Sequence, residues 1–359
     1  MDRPNEPAIP PIRSDKYVSD APHVVLLGAG AARAAFPGGD RSGRKLALMN
    51  ELAEVLALQD LLEADDLAKA VTNFEAFFDA LSQQKSRPDT VAEIERRVGS
   101  YFSGMQLPPH VTLYDRLLLS LRPKDVIATF NWDPLLGQAF RRNRDVAQLP
   151  RLLFLHGNVD SGACTTHRVK GFREQYCQAC ETLLRPVPLL YPVGQKDYTA
   201  DGFIANEWDE LGAALEQAAV FTIFGYSAPV TDVSAIDLLK TAFAKNRTRD
   251  FGLVEVVDIK AKEEVLRTWG SFGIEGRVAI SSDVFDTLMF RHPRRSCEAF
   301  LWAILQQDPW HERPFPDETK LEGLQEWIRP LVDEEERYFA SGVPFKPSRG
   351  SAKGAPPTG

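Results

Sequence analysis

Short apolar runs alternate with amphipathic stretches along most of the chain, and that alternation predicts the fold class before any motif is considered. His23–Leu27 (HVVLL), Asp125–Phe130 (DVIATF), Leu152–Leu155 (LLFL), Val220–Phe224 (VFTIF), Leu253–Val257 (LVEVV) and Val278–Ile280 (VAI) are short, rich in β-branched residues and bounded by turn formers. Central strands covered on both faces have this character. Between them, helical patterns run over Lys45–Leu58, Ala64–Leu81, Thr90–Phe102, Phe203–Ala218 and Val233–Ala244. The alternation predicts an α/β protein with a Rossmann-like, largely parallel sheet and helices on both faces.

Two stretches interrupt the pattern. Residues 45–122 are nearly all helical and too long for one crossover, so they read as a helical insertion. Residues 158–187 hold clustered cysteines and little periodicity, which suggests a small metal-stapled module. Both lie within an expected main domain over residues 21–292, followed by a helical C-terminal extension over 293–341. Residues 1–20 and 342–359 have the Pro, Gly and charge content of disordered tails.

Composition is that of a soluble globular protein, 44% hydrophobic and 26% charged. No apolar run approaches the ~20 residues that span a bilayer, and the first residues lack the apolar core of a secretory signal. A cytoplasmic protein without membrane contact is expected. The net charge of -8 argues against direct nucleic-acid binding. An anionic small ligand stays open, because backbone amides and helix N-termini hold phosphates without basic side chains.

Strand His23–Leu27 runs into Gly28-Ala29-Gly30, where glycines would let the backbone approach a pyrophosphate. As a dehydrogenase fingerprint the motif is incomplete, since Arg33 occupies the third glycine position. A tight turn with no ligand explains it about as well. The following Phe36-Pro37-Gly38-Gly39-Asp40-Arg41 adds a second loop where a dehydrogenase would begin its helix at once. Strand Asp125–Phe130 ends in Asn131-Trp132-Asp133-Pro134, and Leu152–Leu155 ends in His156-Gly157. Polar residues past strand carboxyl ends sit where open α/β sheets bind ligands. On local sequence alone the favoured reading is a helix cap at Asp133 with Asn131 in a turn, and His156 is either a satisfied half-buried histidine or a general base.

Cys164-Thr-Thr-His167 and Cys177-Gln-Ala-Cys180 form two pairs with two residues between the members of each. That spacing suits a tetrahedral Cys3His zinc site, structural because four protein ligands leave no position for water. Cys297 lies among apolar helical residues and reads as core. Late in the chain, Val220–Phe224 ends in Gly225-Tyr226-Ser227-Ala228-Pro229, and Leu253–Val257 ends in Asp258. A Ser-type turn explains the first. For Asp258, a ribose-gripping acid and a surface cap of the helix over 261–267 are equally good.

The order Gly-Ala-Gly, Asn-x-Asp, Leu-His-Gly, cysteine module and Gly-x-Ser, spread over residues 23–285, resembles the sirtuin family. That resemblance implies NAD as substrate and a structural zinc. It places Gly28, Ala29 and Gly30 at the pyrophosphate, with Asp40 also among the cofactor-binding candidates. Asn131 would contact ribose and orient a water, Asp133 would hold the nicotinamide amide, and His156 would be the base. Gly225 and Ser227 would bind the adenosine side, and Asp258 a ribose.

Several positions depart from the deacylating members. Ala32 and Phe130 stand where those have serine and glutamine, and Leu189 to Lys196 replaces their acyl-peptide-binding segment. Tyr191, Pro192, Lys196, Tyr198, Trp208 and the Gly-Tyr-Ser-x-Pro motif look like the divergent bacterial sirtuin-like branch, several members of which hydrolyse NAD in anti-phage defence. The preferred expectation is therefore an NAD glycohydrolase releasing nicotinamide and ADP-ribose. It would be restrained by homo-oligomerisation or by a separately encoded partner. The alternatives are an NAD-dependent protein deacylase and a non-catalytic sensor of NAD or ADP-ribose.

Overall fold

A computed structural model describes residues 20–191, 198, 201–228, 232–246, 252–272, 277–305, 307 and 309–341. Most of the two expected tails, residues 1–19 and 342–359, lies outside the described residues, as do residues 192–197 of the expected departure.

All six expected strands form. They are β1 (His23–Leu27), β2 (Val126–Thr129), β3 (Arg151–Phe154), and then, past three short strands of the cysteine module, β7 (Val220–Phe224), β8 (Leu253–Val257) and β9 (Val278–Ser281). The three in the module are β4 (Ser161–Cys164), β5 (Val169–Phe172) and β6 (Arg185–Pro186). The large sheet is parallel throughout, in the order β3-β2-β1-β7-β8-β9. The chain moves outward in one direction from β1 through β2 to β3, then returns to the other side of β1 and moves outward again. The switch point of the topology therefore falls between β1 and β7, the place where open sheets of this kind leave a crevice at their carboxyl edge.

Alternating side chains divide the core into two layers. Val25, Leu27 and Ile127 face a cluster built from the helix Ala29–Ala35, the insertion, and Leu324 and Ile328 of the long C-terminal helix Leu321–Ser341. Val24, Leu26, Val126, Ala128, Phe221, Ile223, Val254 and Val256 face the other layer, formed by the helices Gly202–Leu215, Val233–Ala244 and Lys262–Trp269. Central β1 is buried on both faces along its length, which is why its sequence is a continuous apolar run rather than an alternating one.

The structure corrects three readings of the local sequence. The helix expected over Lys45–Leu58 shrinks to a 3-10 turn at Met49–Glu51 and a single turn at Leu52–Val55. There the Glu51 carboxylate accepts from Leu48 N at 2.9 Å and ends the helix before Lys45 can join it. The pattern over Ala64–Leu81 is two helices, Ala64–Thr72 and Phe74–Ser82. Asn73 breaks it by accepting from Ala76 N with its side chain at 3.1 Å, an N-cap in mid-pattern. The glycine turn is followed at once by the helix Ala29–Ala35, with the Phe36–Arg41 loop after that helix rather than in its place.

The region after β9 is tied into the main body by buried charge. Arg294 is 2% exposed; its Nε donates to Glu335 at 2.6 Å and its Nη1 to the Leu121 carbonyl at 2.9 Å. Arg122 pairs with Glu298, both buried. Cys297 packs against Ala219, Val220 and Leu301, and burial pushes its thiol up to about 12.

Candidate functional site

The carboxyl edge of the sheet opens into a cavity of about 1030 Å³, at the upper end of the volumes that hold small-molecule ligands. Its wall includes Ala29 and Gly30 after β1, Asn131 and Asp133 after β2, and His156 after β3. Gly225 and Ser227 after β7 and Asp258 after β8 complete that edge. Five strands thus deliver the expected residues to one space. Of the expected catalytic and cofactor-binding residues, Gly28 and Asp40 are the two that do not line it.

Gly28 instead packs against the turn after β7. A Cβ there would stand 2.4 Å from the Gly225 carbonyl oxygen, and one at Gly30 would stand 2.9 Å from it. The reciprocal position is as tight: a Cβ on Gly225 would approach Ala31 N to 2.1 Å, and its φ of +62° lies in the left-handed region. Gly28 N donates to the Phe224 carbonyl at 3.0 Å and Gly30 N to the Gly225 carbonyl at 2.9 Å. The glycines expected to approach a ligand are thus packed first against each other across the switch point. Asp40 is spent on its own loop and on the chain after the helix Pro88–Ser103, accepting from Ser42 N and Oγ, Arg44 N and Gln106 N at 2.7–3.0 Å. Burial would raise its pKa, but these donors outweigh it and hold the carboxyl below its usual value.

Asn131 is aimed by its surroundings. Its Nδ2 donates to the Gly28 carbonyl at 3.0 Å and lies 3.5 Å from the hydroxyl of buried Tyr114. With the amide nitrogen anchored, Oδ1 is left as the group available to a ligand. Asp133 is 3% exposed and accepts from Leu135 N at 3.1 Å. The helix after β2 begins at Leu135 with Pro134 as its cap, so Asp133 is a turn residue just before it rather than the expected cap, and it also reaches the cavity. Burial raises its carboxyl from 3.8 to about 6, against the opposing Leu135 amide. Asn158, which drew no attention in the sequence, binds the loop in place: its Nδ2 donates to the Asn131 and Asp133 carbonyls at 3.2 and 2.6 Å. Its position directly after the Leu-His-Gly motif is the one signal that could have marked it.

His156 is 6% exposed and lies beside Phe130, ring centroids 4.7 Å apart. Gly157 follows with φ +71°, and a Cβ there would meet the Pro188 carbonyl oxygen at 2.0 Å, so only glycine lets the returning chain pass. That returning chain comes from the cysteine module, and Leu190 N donates to the His156 carbonyl at 2.9 Å. Asp258 accepts from Lys260 N at 3.0 Å. The helix after it begins at Lys262 with Ala261 as its cap, so Asp258 is a turn residue on the cavity wall and not a helix cap. Arg33 also lines the cavity and donates to Glu51 at 2.8 and 3.2 Å and to the Leu46 carbonyl at 2.9 Å.

In the module, Cys164, His167, Cys177 and Cys180 bring one ligand atom each within 4.8 Å of all the others. Cys164 Sγ and Cys177 Sγ each lie 3.6 Å from His167 Nδ1, and Cys164 Sγ lies 3.8 Å from Cys180 Sγ. A tetrahedron with about 2.3 Å to sulfur and about 2.0 Å to nitrogen has edges of roughly 3.5–3.8 Å. The donor set and spacing fit a structural zinc. A hydrogen bond with Thr182 brings the Cys180 thiol down to about 6, toward the thiolate that a metal needs.

No protein-family profile matches the sequence, and no curated protein matches it. Among solved structures, the chain is similar to a Sir2 homologue in complex with NAD, at 15% identity and a TM-score of 0.33, covering 88% of this chain and 93% of that one. A structure described as the basis for the mechanism and regulation of Sir2 enzymes is matched at 13% identity and a TM-score of 0.35, covering 89% and 97%. A complex of Sir2 with the inhibitor EX-527, 2′-O-acetyl-ADP-ribose and a deacetylated p53 peptide gives 13% identity and a TM-score of 0.32, covering 80% and 94%. No described helix is long and apolar enough to cross a membrane.

Asp133 carries a testable linkage. Its folded pKa of about 6 exceeds the ~3.9 of an unfolded aspartate, so the folded state is penalised once the carboxyl ionises. The penalty is absent below about pH 4, grows as pH rises to about 6, and then stays at up to about 3 kcal/mol. Asp133→Asn should therefore stabilise the unliganded protein at pH 8, with a gain that shrinks as pH falls to 5. Urea melts at the two pH values check this, and an equal gain at both would contradict the assignment.

Proposed function

We propose that the chain consumes NAD as a glycohydrolase, releasing nicotinamide and ADP-ribose. The observation that carries this reading is the convergence of Asn131 and His156 from separate strands on one cavity whose wall also includes Ala29, Gly30, Asp133, Gly225, Ser227 and Asp258. The pyrophosphate would lie along the β1 turn, the adenosine toward Ser227 and Asp258, and the nicotinamide ribose toward Asn131 and His156.

In the reaction the bond between the nicotinamide nitrogen and ribose C1′ breaks, and its electron pair leaves with nicotinamide. The ribosyl centre gains oxocarbenium character. Asn131 Oδ1, fixed through its anchored amide nitrogen, orients a water, and His156 takes the proton as the water oxygen bonds to C1′. Asp133 holds the nicotinamide carboxamide and places negative charge near the developing cation. Positioning and charge stabilisation of this kind supply most of such a rate enhancement. Free turnover would exhaust the NAD of the cell, so we assign the chain a restrained cytoplasmic role such as anti-phage defence, gated by homo-oligomerisation or by a separately encoded partner.

Chromatographic assay of nicotinamide from NAD, with no acyl-peptide present, tests the reading. The unsubstituted chain should release it, and Asn131→Ala and His156→Ala should each cut the rate by about 100-fold or more. Release that needs an acyl-lysine peptide would instead indicate a protein deacylase, and calorimetric binding of NAD without turnover a sensor. Undiminished release by both variants would refute the site.

We further propose that Cys164, His167, Cys177 and Cys180 hold one zinc whose role is to secure the module that leaves β3 at Gly157 and returns at Leu190. Metal analysis should find one zinc per chain, and Cys177→Ser should lose it together with several degrees of melting temperature. A metal-free chain with an unaltered melt would rule the zinc out.

A further inference from the structure

The expected cofactor residues leave one part of the cavity wall unexplained. Phe130 follows β2 directly, just before Asn131, and lines the cavity, although it is 9% exposed. Its ring stacks on Tyr226, with centroids 4.3 Å apart and planes 28° apart, and meets Trp208 at 6.0 Å. On its remaining side it lies against the His156 imidazole at 4.7 Å. The imidazole is in turn nearly parallel to Tyr198 at 6.0 Å, and Tyr198 contacts Trp208 at 4.6 Å. Histidine is thus flanked by rings that brace one another.

Three of these residues are tied down by hydrogen bonds. The Tyr226 hydroxyl donates to the buried Asp232 carboxylate at 3.0 Å, and the Trp208 indole N–H donates to the Leu155 carbonyl at 3.2 Å. Phe130 N donates to the Leu27 carbonyl at 3.0 Å, which locks the residue into the sheet edge. Such a stack does not yield without losing several aromatic contacts together. Phe130 therefore occupies, as a rigid apolar block, the volume next to the group that would deprotonate the nucleophile.

Resting on the NAD-cleavage reading, we infer that the Phe130–Tyr226 pair is a specificity-determining wall that restricts the nucleophile to water. A water molecule needs only the space between ribose and imidazole. An acceptor whose oxygen carries a carbon chain needs the adjoining volume, and Phe130 fills it. In both cases the C1′–N bond breaks with its electron pair leaving on nicotinamide, a C1′–O bond forms, and the nucleophile's proton passes to His156. Only the group behind the oxygen differs.

Competition between water and alcohols reads this directly. The full chain and its Phe130→Leu and Phe130→Ala variants are incubated with NAD and either methanol or 1-butanol. Mass spectrometry then gives the ratio of alkyl ADP-ribose to ADP-ribose within each sample, so a change in overall rate does not enter. The unsubstituted chain should form ADP-ribose with no detectable butyl product, whereas Phe130→Leu, which keeps the position apolar, should raise the butyl ratio about tenfold or more. Phe130→Ala should raise it further, and if that variant does not fold the leucine variant alone decides. Butyl ratios that stay at the unsubstituted level while nicotinamide is still released would overturn the wall and leave NAD cleavage standing. Absence of nicotinamide release from the unsubstituted chain would overturn the cleavage reading and this inference with it.

Discussion

The site depends on two backbone turns that touch. The turn after β1 and the turn after β7 meet at the switch point of the sheet, close enough that Gly28, Gly30 and Gly225 have no room for a Cβ. The Gly30 amide on the Gly225 carbonyl fixes their separation. The Gly28 carbonyl in turn anchors Asn131, which binds β2 to the same point. One contact between main chains thus sets the floor of the cavity and aims its polar amide. In proteins of this topology the crevice follows from the strand order; here its shape follows from three absent side chains.

From that floor the other walls are built by chain segments that leave the sheet and return. The insertion supplies Leu46–Leu52, Asn73, Glu75 and Phe102, and Arg33 clamps its first part through Glu51. The cysteine module leaves at Gly157 and comes back at Leu190, so it grips His156 from both ends of an excursion of more than thirty residues. Asn158 joins this excursion to the loop after β2. The two residues assigned to the chemistry therefore sit where separate segments cross-brace, a suitable place for groups that must hold geometry. Asp133 shows what such placement costs: its burial keeps a carboxyl ionising near neutrality where an exposed one would not.

Much of this was legible in the sequence because it rests on local rules. Six apolar runs became six strands within a residue or two, since burial on both faces leaves a continuous signal. Polar residues directly after those runs had to fall on one edge once the sheet was parallel. Paired cysteine spacing converged because the ligands of each pair are near neighbours in the chain. What escaped depends on distant partners. Asn73 as a cap in mid-pattern was hidden by the helical period on either side of it. The role of Gly28 was read as room for a ligand, when the nearer constraint is Gly225, almost two hundred residues later. Asp40 sits in a conspicuous loop, yet its four donors are local or come from Gln106, and its position away from the cavity wall could not be seen from spacing. Phe130 is the instructive case. Its departure from a polar residue was visible, but its meaning needed Tyr226, Trp208 and Tyr198 placed around it.

The central claim is that one ligand spans all of these loops at once, and the structure of the chain bound to ADP-ribose tests it most directly. The account predicts the pyrophosphate within hydrogen-bonding distance of backbone amides of the turn after β1, the adenosine between Ser227 and Asp258, and the terminal ribose beside Asn131 and His156. ADP-ribose bound elsewhere, or seated here with its terminal ribose away from Asn131 and His156, would contradict it.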